Sequence, residues 1–366
     1  MNFSCEKTLL NTALTTTSRA TASKSTIGAM EGILIEASSS LQFTGYNLET
    51  GIRATIPAEI TNTGSLVVPT RLFCEIIRKM PDDIVYFSND GTKINIKCGM
   101  SEYNILGIDP QEFPELPKVE QKNAITLPQS TLKSMLSHTL FAISTSEARP
   151  VHTGSLFDVH HNQLTVVSVD GFRLALRKET VSKTEGDEDF SFIVPGSALT
   201  EVEKICSGDE DVTICQGDKH ILFQMNDMIL VSRRLEGDFL AYKNAIPRNN
   251  TIFIPCDAKK MLISLERVSL IMNDKLKSPL RCTFGDHIMT VTTQTGVGDA
   301  EDQCETEGNG ENLEIGFNHK YILDAMRMVP TNHIRLELSS DVAPCVILPA
   351  EGEENFIFMV LPIRLK

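Results

Sequence analysis

The chain has 366 residues, 41% of them apolar, which is enough for two or three domains that each bury a core. Acidic residues outnumber basic ones 48 to 34, a formal net charge of -14, and such a balance taken as a whole opposes phosphate binding. No stretch approaches the roughly 18 apolar residues of a membrane span, and the opening MNFSCEKTLL lacks the charged-then-apolar order of a signal peptide, so the expectation is a soluble, cytoplasmic protein.

Taken in chain order, the elements recur. Phe3 and Cys5 read as a short strand, and Leu10, Ala13 and Leu14 as a helix behind it. Leu41-Phe43 begins a run of period two. Leu66-Val67-Val68-Pro69 then leads into Leu72, Phe73, Ile76, Ile77 and Met80, spaced as one face of a second helix. Asn89-Asp90-Gly91 marks a turn, and Phe113-Pro114-Glu115-Leu116-Pro117 a linker.

The middle third opens the same way. Ile125 and Leu127 precede Pro128 and a helix with Leu132, Met135, Leu136, Leu140 and Ile143. A hairpin should turn at His160-His161-Asn162-Gln163, and another turn falls at Asp170-Gly171. Ile193-Val194-Pro195-Gly196 repeats the strand-then-helix unit with Ala198, Leu199, Val202 and Cys206; Glu203 interrupts this copy. After Gly217-Asp218, the linker Ile246-Pro247-Arg248-Asn249-Asn250 closes the third. In the last third, Ile252 and Ile254 precede Asp257 and a helix with Met261, Leu262, Leu265 and Val268. Gly285-Asp286 reads as a turn, Gly296-Val297-Gly298 as another, and the acidic stretch 299–311 as a solvated loop. Ile315-Gly316-Phe317-Asn318 then leads into Tyr321, Ile322, Ala325, Met326 and Val329, matching the first third position for position. The reading is an α+β chain of three repeated domains, 1–122, 123–248 and 249–366, each with two helices and antiparallel strands. Two amphipathic helices per domain should cover one face of the sheets and leave an outer face of strands.

Charge is distributed unevenly over this plan. The helical windows 6–14, 71–80, 131–143, 197–206, 258–269 and 319–328 carry Lys7, Arg71, Arg78, Lys79, Lys133, Lys204, Lys259, Lys260, Arg267, Lys320 and Arg327 against only six acidic residues. The helices invert the balance of the chain, so a partner common to them is anionic. Lys24 is counted with the same set of cations. With no base-reading motif present, contact would be with phosphates and blind to sequence.

Signals for catalysis are missing: there is no Walker loop, GxSxG or HExxH. Nine Cys lie singly with no CxxC pair, which argues against disulfides and structural zinc and for small core residues. The alternative is a metal-dependent phosphoesterase built on Asp158, His160, His161 and Asp170, although adjacent His residues in a strand point to opposite faces. Neither catalytic residues nor a cofactor is expected.

Five segments stand out: Arg149-Pro150-Val151-His152-Thr153-Gly154, Val169-Asp170-Gly171-Phe172-Arg173-Leu174-Ala175, Glu236-Gly237-Asp238-Phe239 through Tyr242, Glu314 to Asn318 with Tyr321, and the ending Met359-Val360-Leu361-Pro362-Ile363-Arg364-Leu365. Together they resemble the bacterial DNA polymerase III beta subunit family, the sliding clamps. The resemblance covers the whole chain. It implies the DNA-clamp fold and a head-to-tail dimer that forms a six-domain ring around duplex DNA, lined by helices with sheets outside. It also implies a pocket where the polymerase, the clamp loader and repair proteins dock short Gln- and Leu-containing motifs. By position the pocket takes Arg149, His152, Val169, Gly171, Phe172, Arg173, Leu174, Leu240, Asn318, Tyr321, Val342, Val360, Leu361, Pro362, Ile363 and Arg364, with partner side chains expected between Leu174, Val360 and Ile363. The dimer contact implied is Tyr103 and Ile105 against Leu270 and Ile271. The chain departs from the family at His152, where an aliphatic residue is usual, at Phe172, where His is common, and at Leu240-Ala241, which replaces Pro-Asp; Lys366 extends the end.

Overall fold

The computed structural model describes residues 1–120, 123–183, 189–273 and 278–365; the division at 122/123 and Lys366 lie outside the described residues. Seven α-helices appear among them: α1 Lys7–Thr17, α2 Thr70–Lys79, α3 Gln129–Ser137, α4 Gly196–Ile205, the short α5 Tyr242–Ala245, α6 Ala258–Ser269 and α7 His319–Arg327. Six of them stand where apolar spacing put helices. The Asp257 and Asn318 side chains cap α6 and α7 by accepting from Lys260 N and Lys320 N. Two details differ from the spacing. Leu72 begins the apolar face of α2 on paper but is 47% exposed, while Phe73, Ile76 and Ile77 are buried. α3 stops at Ser137, and Leu140–Ala142 form a separate 3-10 turn; the Thr139 hydroxyl bonds back to Met135 O and uses a carbonyl the helix would need to continue. No helix among the described residues is long and apolar enough to cross a membrane.

The chain divides into two compact units, Met1–Ser130 with Ser182–Gly186 and Lys204–Arg234, and Thr131–Val181 with Asp187–Glu203 and Leu235–Lys366. The middle third is shared because its strands extend sheets in both units. In the first unit a nine-stranded antiparallel sheet joins the middle third to the first where Met228–Arg233 pairs with Thr50–Ile56, Leu230 opposite Ile52. A five-stranded sheet runs Glu59–Asn62, Asn2–Glu6, Ile84–Asp90, Lys93–Cys98, Ser101–Leu106. The Leu10 and Leu14 side chains of α1 and the Phe73 and Ile77 side chains of α2 fill the core with Phe3, Phe43 and Phe87 from the strands.

In the second unit an eight-stranded sheet is continuous through Arg173–Thr180 pairing with Phe356–Val360. Its two faces are both apolar. Val360, Phe358 and Phe356 pack with the α6 and α7 residues Leu265, Ile322 and Met326 on one side. Leu174, Leu176, Ile357, Met359, Val346 and Leu348 form a separate cluster on the other, partly roofed by Val151, Phe239, Leu240 and Ile246. The outer face is therefore not bare strand, as the repeat pattern suggested; the segment 235–246 lies on it.

The hairpin Leu280–Thr295 and Gly298–Phe317 holds two corrections. Gly285-Asp286 is not a turn but an irregularity within the first strand, with His287 at φ 58°. The acidic stretch is not a loop but part of the second strand, with Cys304 and Thr306 buried between exposed carboxylates. Period two was present there, masked by the charge. The Gly296-Val297 turn is where the spacing put it. Eight of the nine free thiols are buried, and burial pushes Cys5 and Cys256 up to about 12.

Candidate functional site

The turn Asp170–Arg173 lies between strands Gln163–Val169 and Arg173–Thr180. Gly171 has φ +90°, a conformation that suits glycine. The Asp170 carboxylate accepts from Phe172 N (2.9 Å) and Arg173 N (3.0 Å), which locks the turn, and from Arg173 Nε (3.0 Å). Arg173 Nη1 donates to Asp324 Oδ2 on α7 at 2.6 Å. A cation needs such partners when only 8% of it is exposed. Its guanidinium also lies 4.8 Å from the Tyr321 ring centre and 5.5 Å from that of Phe141. Burial, and next the Asp170 carboxylate, push the Tyr321 hydroxyl pKa up. Phe172 stacks on Tyr321 at 5.5 Å yet stays 55% exposed.

The C-terminal segment is stitched over this group by Leu361 N to Phe172 O (2.8 Å) and Ile363 N to Gly316 O (2.7 Å). Glycine is required at 316, because a Cβ there would meet Ile363 O at 2.8 Å and the Leu365 side chain at 2.5 Å. A cavity of about 610 Å³ opens beside the turn, lined by Ile143, Asp170, Phe172, Arg173, Asn318, Tyr321 and Ile363, with Ser144 to Ser146 on its rim.

The structure divides the sixteen expected pocket residues. Gly171, Phe172, Arg173, Asn318, Tyr321, Leu361 and Ile363 gather at this turn and cavity. Val169 and Leu174 belong to the outer-face cluster, with Leu240 packed on it. His152 is buried against Phe239 at 5.6 Å, where burial followed by the nearby Arg149 pushes its pKa down. Arg149, Val342 and Arg364 are exposed and Pro362 half-buried.

Val360 is a correction. Its Cα pairs with Arg173, while Met359 pairs with Leu174, so Val360 points to the opposite face from Leu174 and is fully buried in the helix-side core. No ligand group can sit between Leu174 and Val360. Met359, which shares the Leu174 face, is absent from the set carried over from the family by position, as are Asp324, Phe141 and Ile143. Lys320, assigned to the DNA-facing set, lines the cavity.

The remaining cations sit on helices. In the observed spans, α1, α2, α3, α4, α6 and α7 carry eleven Lys and Arg against Glu75, Glu201, Glu203, Glu266 and Asp324. Four are held by carboxylates: Lys7 by Asp82 (2.7 Å), Lys260 by Glu305 (3.0 Å), Arg267 by Asp302 (3.2 Å) and Arg327 by Glu266 (2.9 Å). Lys133 and Lys204 are exposed on α3 and α4. Lys24, Arg71, Arg78, Lys79, Lys259 and Lys320 are exposed and carry no ion pair among the described residues. Tyr103 and Ile105 lie on Ser101–Leu106, the outermost strand of its sheet, beside exposed Leu106 and Leu72. Leu270, after the last turn of α6, is 83% exposed, with Ile271 half-buried.

Against known proteins, residues 1–117, 126–240 and 243–364 match the N-terminal, central and C-terminal domains of the DNA polymerase III beta subunit. The chain is 31% identical to the Staphylococcus aureus "Beta sliding clamp" over 377 residues, covering 100% of this chain and 99% of that one. This chain belongs to the DNA polymerase III beta subunit family. Its fold agrees with that of the Bacillus subtilis DNA polymerase sliding clamp at TM-score 0.94 and 29% identity, and with the Bartonella birtlesii clamp, solved bound to griselimycin, at TM-score 0.93 and 27% identity; each comparison covers 100% of both chains.

Membership in this family leaves no role for the phosphoesterase reading, and the geometry is against it as well. His160 Nδ1 is bonded to Asp189 at 2.5 Å, and His161 sits at the hairpin turn with φ 49°. Asp170 lies at the other end of strand Gln163–Val169, about 20 Å away along an extended chain. Among the described residues no group of three or more His, Cys, Asp or Glu could hold a metal ion.

Proposed function

We propose that the protein is a DNA sliding clamp, a non-catalytic ring that encircles duplex DNA and gives processivity to the replicative polymerase by tethering it. The likeness to the Staphylococcus aureus clamp over 100% of this chain and 99% of that one carries the reading. Two chains close head to tail, the edge strand Ser101–Leu106 of one against Leu270 and Ile271 of the other. An exposed apolar strand edge invites such pairing, and two copies of a heterologous contact close a ring. Helix cations face the hole and meet phosphates, while the acidic exterior repels DNA. The protein works in the cytoplasm, with domain divisions at 122/123 and 248/249, and needs no cofactor.

Partners (polymerase, clamp loader, repair proteins) dock short motifs at the Arg173 turn and against the neighbouring buried Leu174–Met359 cluster where Leu240 roofs it. Small apolar anchors supply most of the energy in such contacts, and polar groups set register. Arg173 is a positioning residue here, since Nε and Nη1 are committed to Asp170 and Asp324. The test is native mass: sedimentation should give twice the 40.5 kDa chain mass, and Leu270→Asp with Ile271→Asp should give the single chain. A double variant that stays dimeric refutes the interface. Calorimetry of a Gln- and Leu-containing peptide against Leu174→Asp tests the docking site, which is wrong if affinity equals that of wild type in a correctly dimeric protein.

A further inference from the structure

The apolar face that carries Leu174 and Met359 does not stop there. One register step along the same strands lie Leu176 and Ile357, and beside them Val346 and Leu348, all in one cluster. They floor a second cavity of about 670 Å³ whose walls include Tyr242, Ile246 and Pro247. α5 thus walls this cavity, with Leu240 before it packed on the Leu174 cluster and Ile246 after it on the cavity wall. Tyr242 anchors it by donating to Asp158 Oδ2 at 2.7 Å, and Lys243 pairs with the same carboxylate at 3.2 Å.

The rim of this cavity is polar and its charges are unevenly committed. The two rim carboxylates, Glu337 and Glu354, are both held by Arg335, at 2.8 and 3.1 Å. His160 is bonded to Asp189. Lys178 and Arg248 line the rim and carry no ion pair among the described residues. An apolar floor with two uncommitted cations on its rim complements a ligand that is apolar along one side and anionic along the other.

We infer that this groove takes an acidic-apolar peptide segment that flanks the docking motif of a partner. The inference rests on the docking reading above for where the partner is already held. From Leu174 to Lys178 is about 13 Å of strand, so roughly four extended residues beyond the motif reach the groove. Tethering makes the second contact intramolecular, and it strengthens binding even when the segment alone binds weakly.

The experiment is calorimetry on the full chain with four synthetic peptides: a short Gln- and Leu-containing motif, the same motif with four Asp/Leu residues added at its N-terminal end, the same motif with them added at its C-terminal end, and an eight-residue Asp/Leu segment alone. One of the two extended peptides should bind about tenfold tighter than the bare motif. Lys178→Glu with Arg248→Glu should remove that gain while leaving the bare motif's affinity and the melting temperature unchanged. Equal affinity of bare and extended peptides for wild type overturns the proposal, as does a gain that survives the charge reversal. If the bare motif does not bind at all, the docking reading fails separately. The groove then stands if the isolated segment binds wild type and not the double variant, and falls if it binds neither. Self-association of wild-type dimers that the double variant lacks would assign the groove to a second copy of the chain and overturn it too.

Discussion

Arg173 and Arg327 make ion pairs of similar length, 2.6 Å to Asp324 and 2.9 Å to Glu266, yet they belong to different kinds of surface. The Arg173 side chain is 9% exposed and that of Arg327 46%. Around Arg173, water is displaced by Tyr321 and Phe141, and two carboxylates and a locked turn fix the guanidinium. Around Arg327, solvent competes for both partners and salt screens them. Environment, not bond length, decides what the pair does. On the proposed reading, the buried cation holds a shaped pocket that distinguishes one ligand from another, and the exposed cations attract phosphate without regard to sequence.

Arg173→Ala is the sharpest break of that contrast. It removes the cation that links Asp170 to Asp324, leaving Asp170 its two backbone bonds and Asp324 only the distant Arg327 at 4.0 Å, and the expected loss is about 3 kcal/mol, read as a lower urea midpoint together with lost peptide binding. Arg173→Lys keeps the charge but not the fork and should fall between. A midpoint equal to wild type in the Ala variant would mean that the cross-link is not structural. Phe172→Ala comes next. Removing the stacked ring should cost less than about 1.5 kcal/mol of stability and still weaken the peptide, because Phe172 borders the cavity. Glu266→Gln should change stability by less than about 1 kcal/mol while strengthening retention on DNA, since Arg327 is released toward solvent; weaker retention would count against a phosphate-facing Arg327. Reversing Arg71, Arg78 and Lys259 to Glu should leave the melting temperature in place and flatten the salt dependence of DNA binding, by about 0.9 in the log-log slope per lost contact. An unchanged slope places these residues away from DNA.

How much of this could be read in advance follows the same contrast. The helices were legible because each has one buried stripe, as in Phe73, Ile76 and Ile77, or Met261, Leu265 and Val268. The turn was legible because Asp170-Gly171 has a backbone requirement of its own. The face of each strand residue near the pocket was not. Strands buried on both sides lose the alternation that marks a face, and Phe358-Met359-Val360 and Leu174-Ala175-Leu176 are apolar throughout. Hence nothing in the local pattern could correct the carry-over by family position that named Val360 and not Met359. The partner of Arg173 could not be read at all, since Asp324 is 151 residues away and only the fold brings them together. Nor could the pairing of Lys7 with Asp82, or of Lys260 with Glu305, which commits cations that composition counts as available.

The most direct test of the account is topological. Protein loaded on a nicked circular plasmid by its loader should stay bound through gel filtration at moderate salt and leave when a single restriction cut opens the circle. Reversing the helix cations should lower the amount retained on the circle without removing the dependence on closure. Retention that is the same on circular and linear DNA would show that the protein grips DNA by ordinary contact and would contradict the ring.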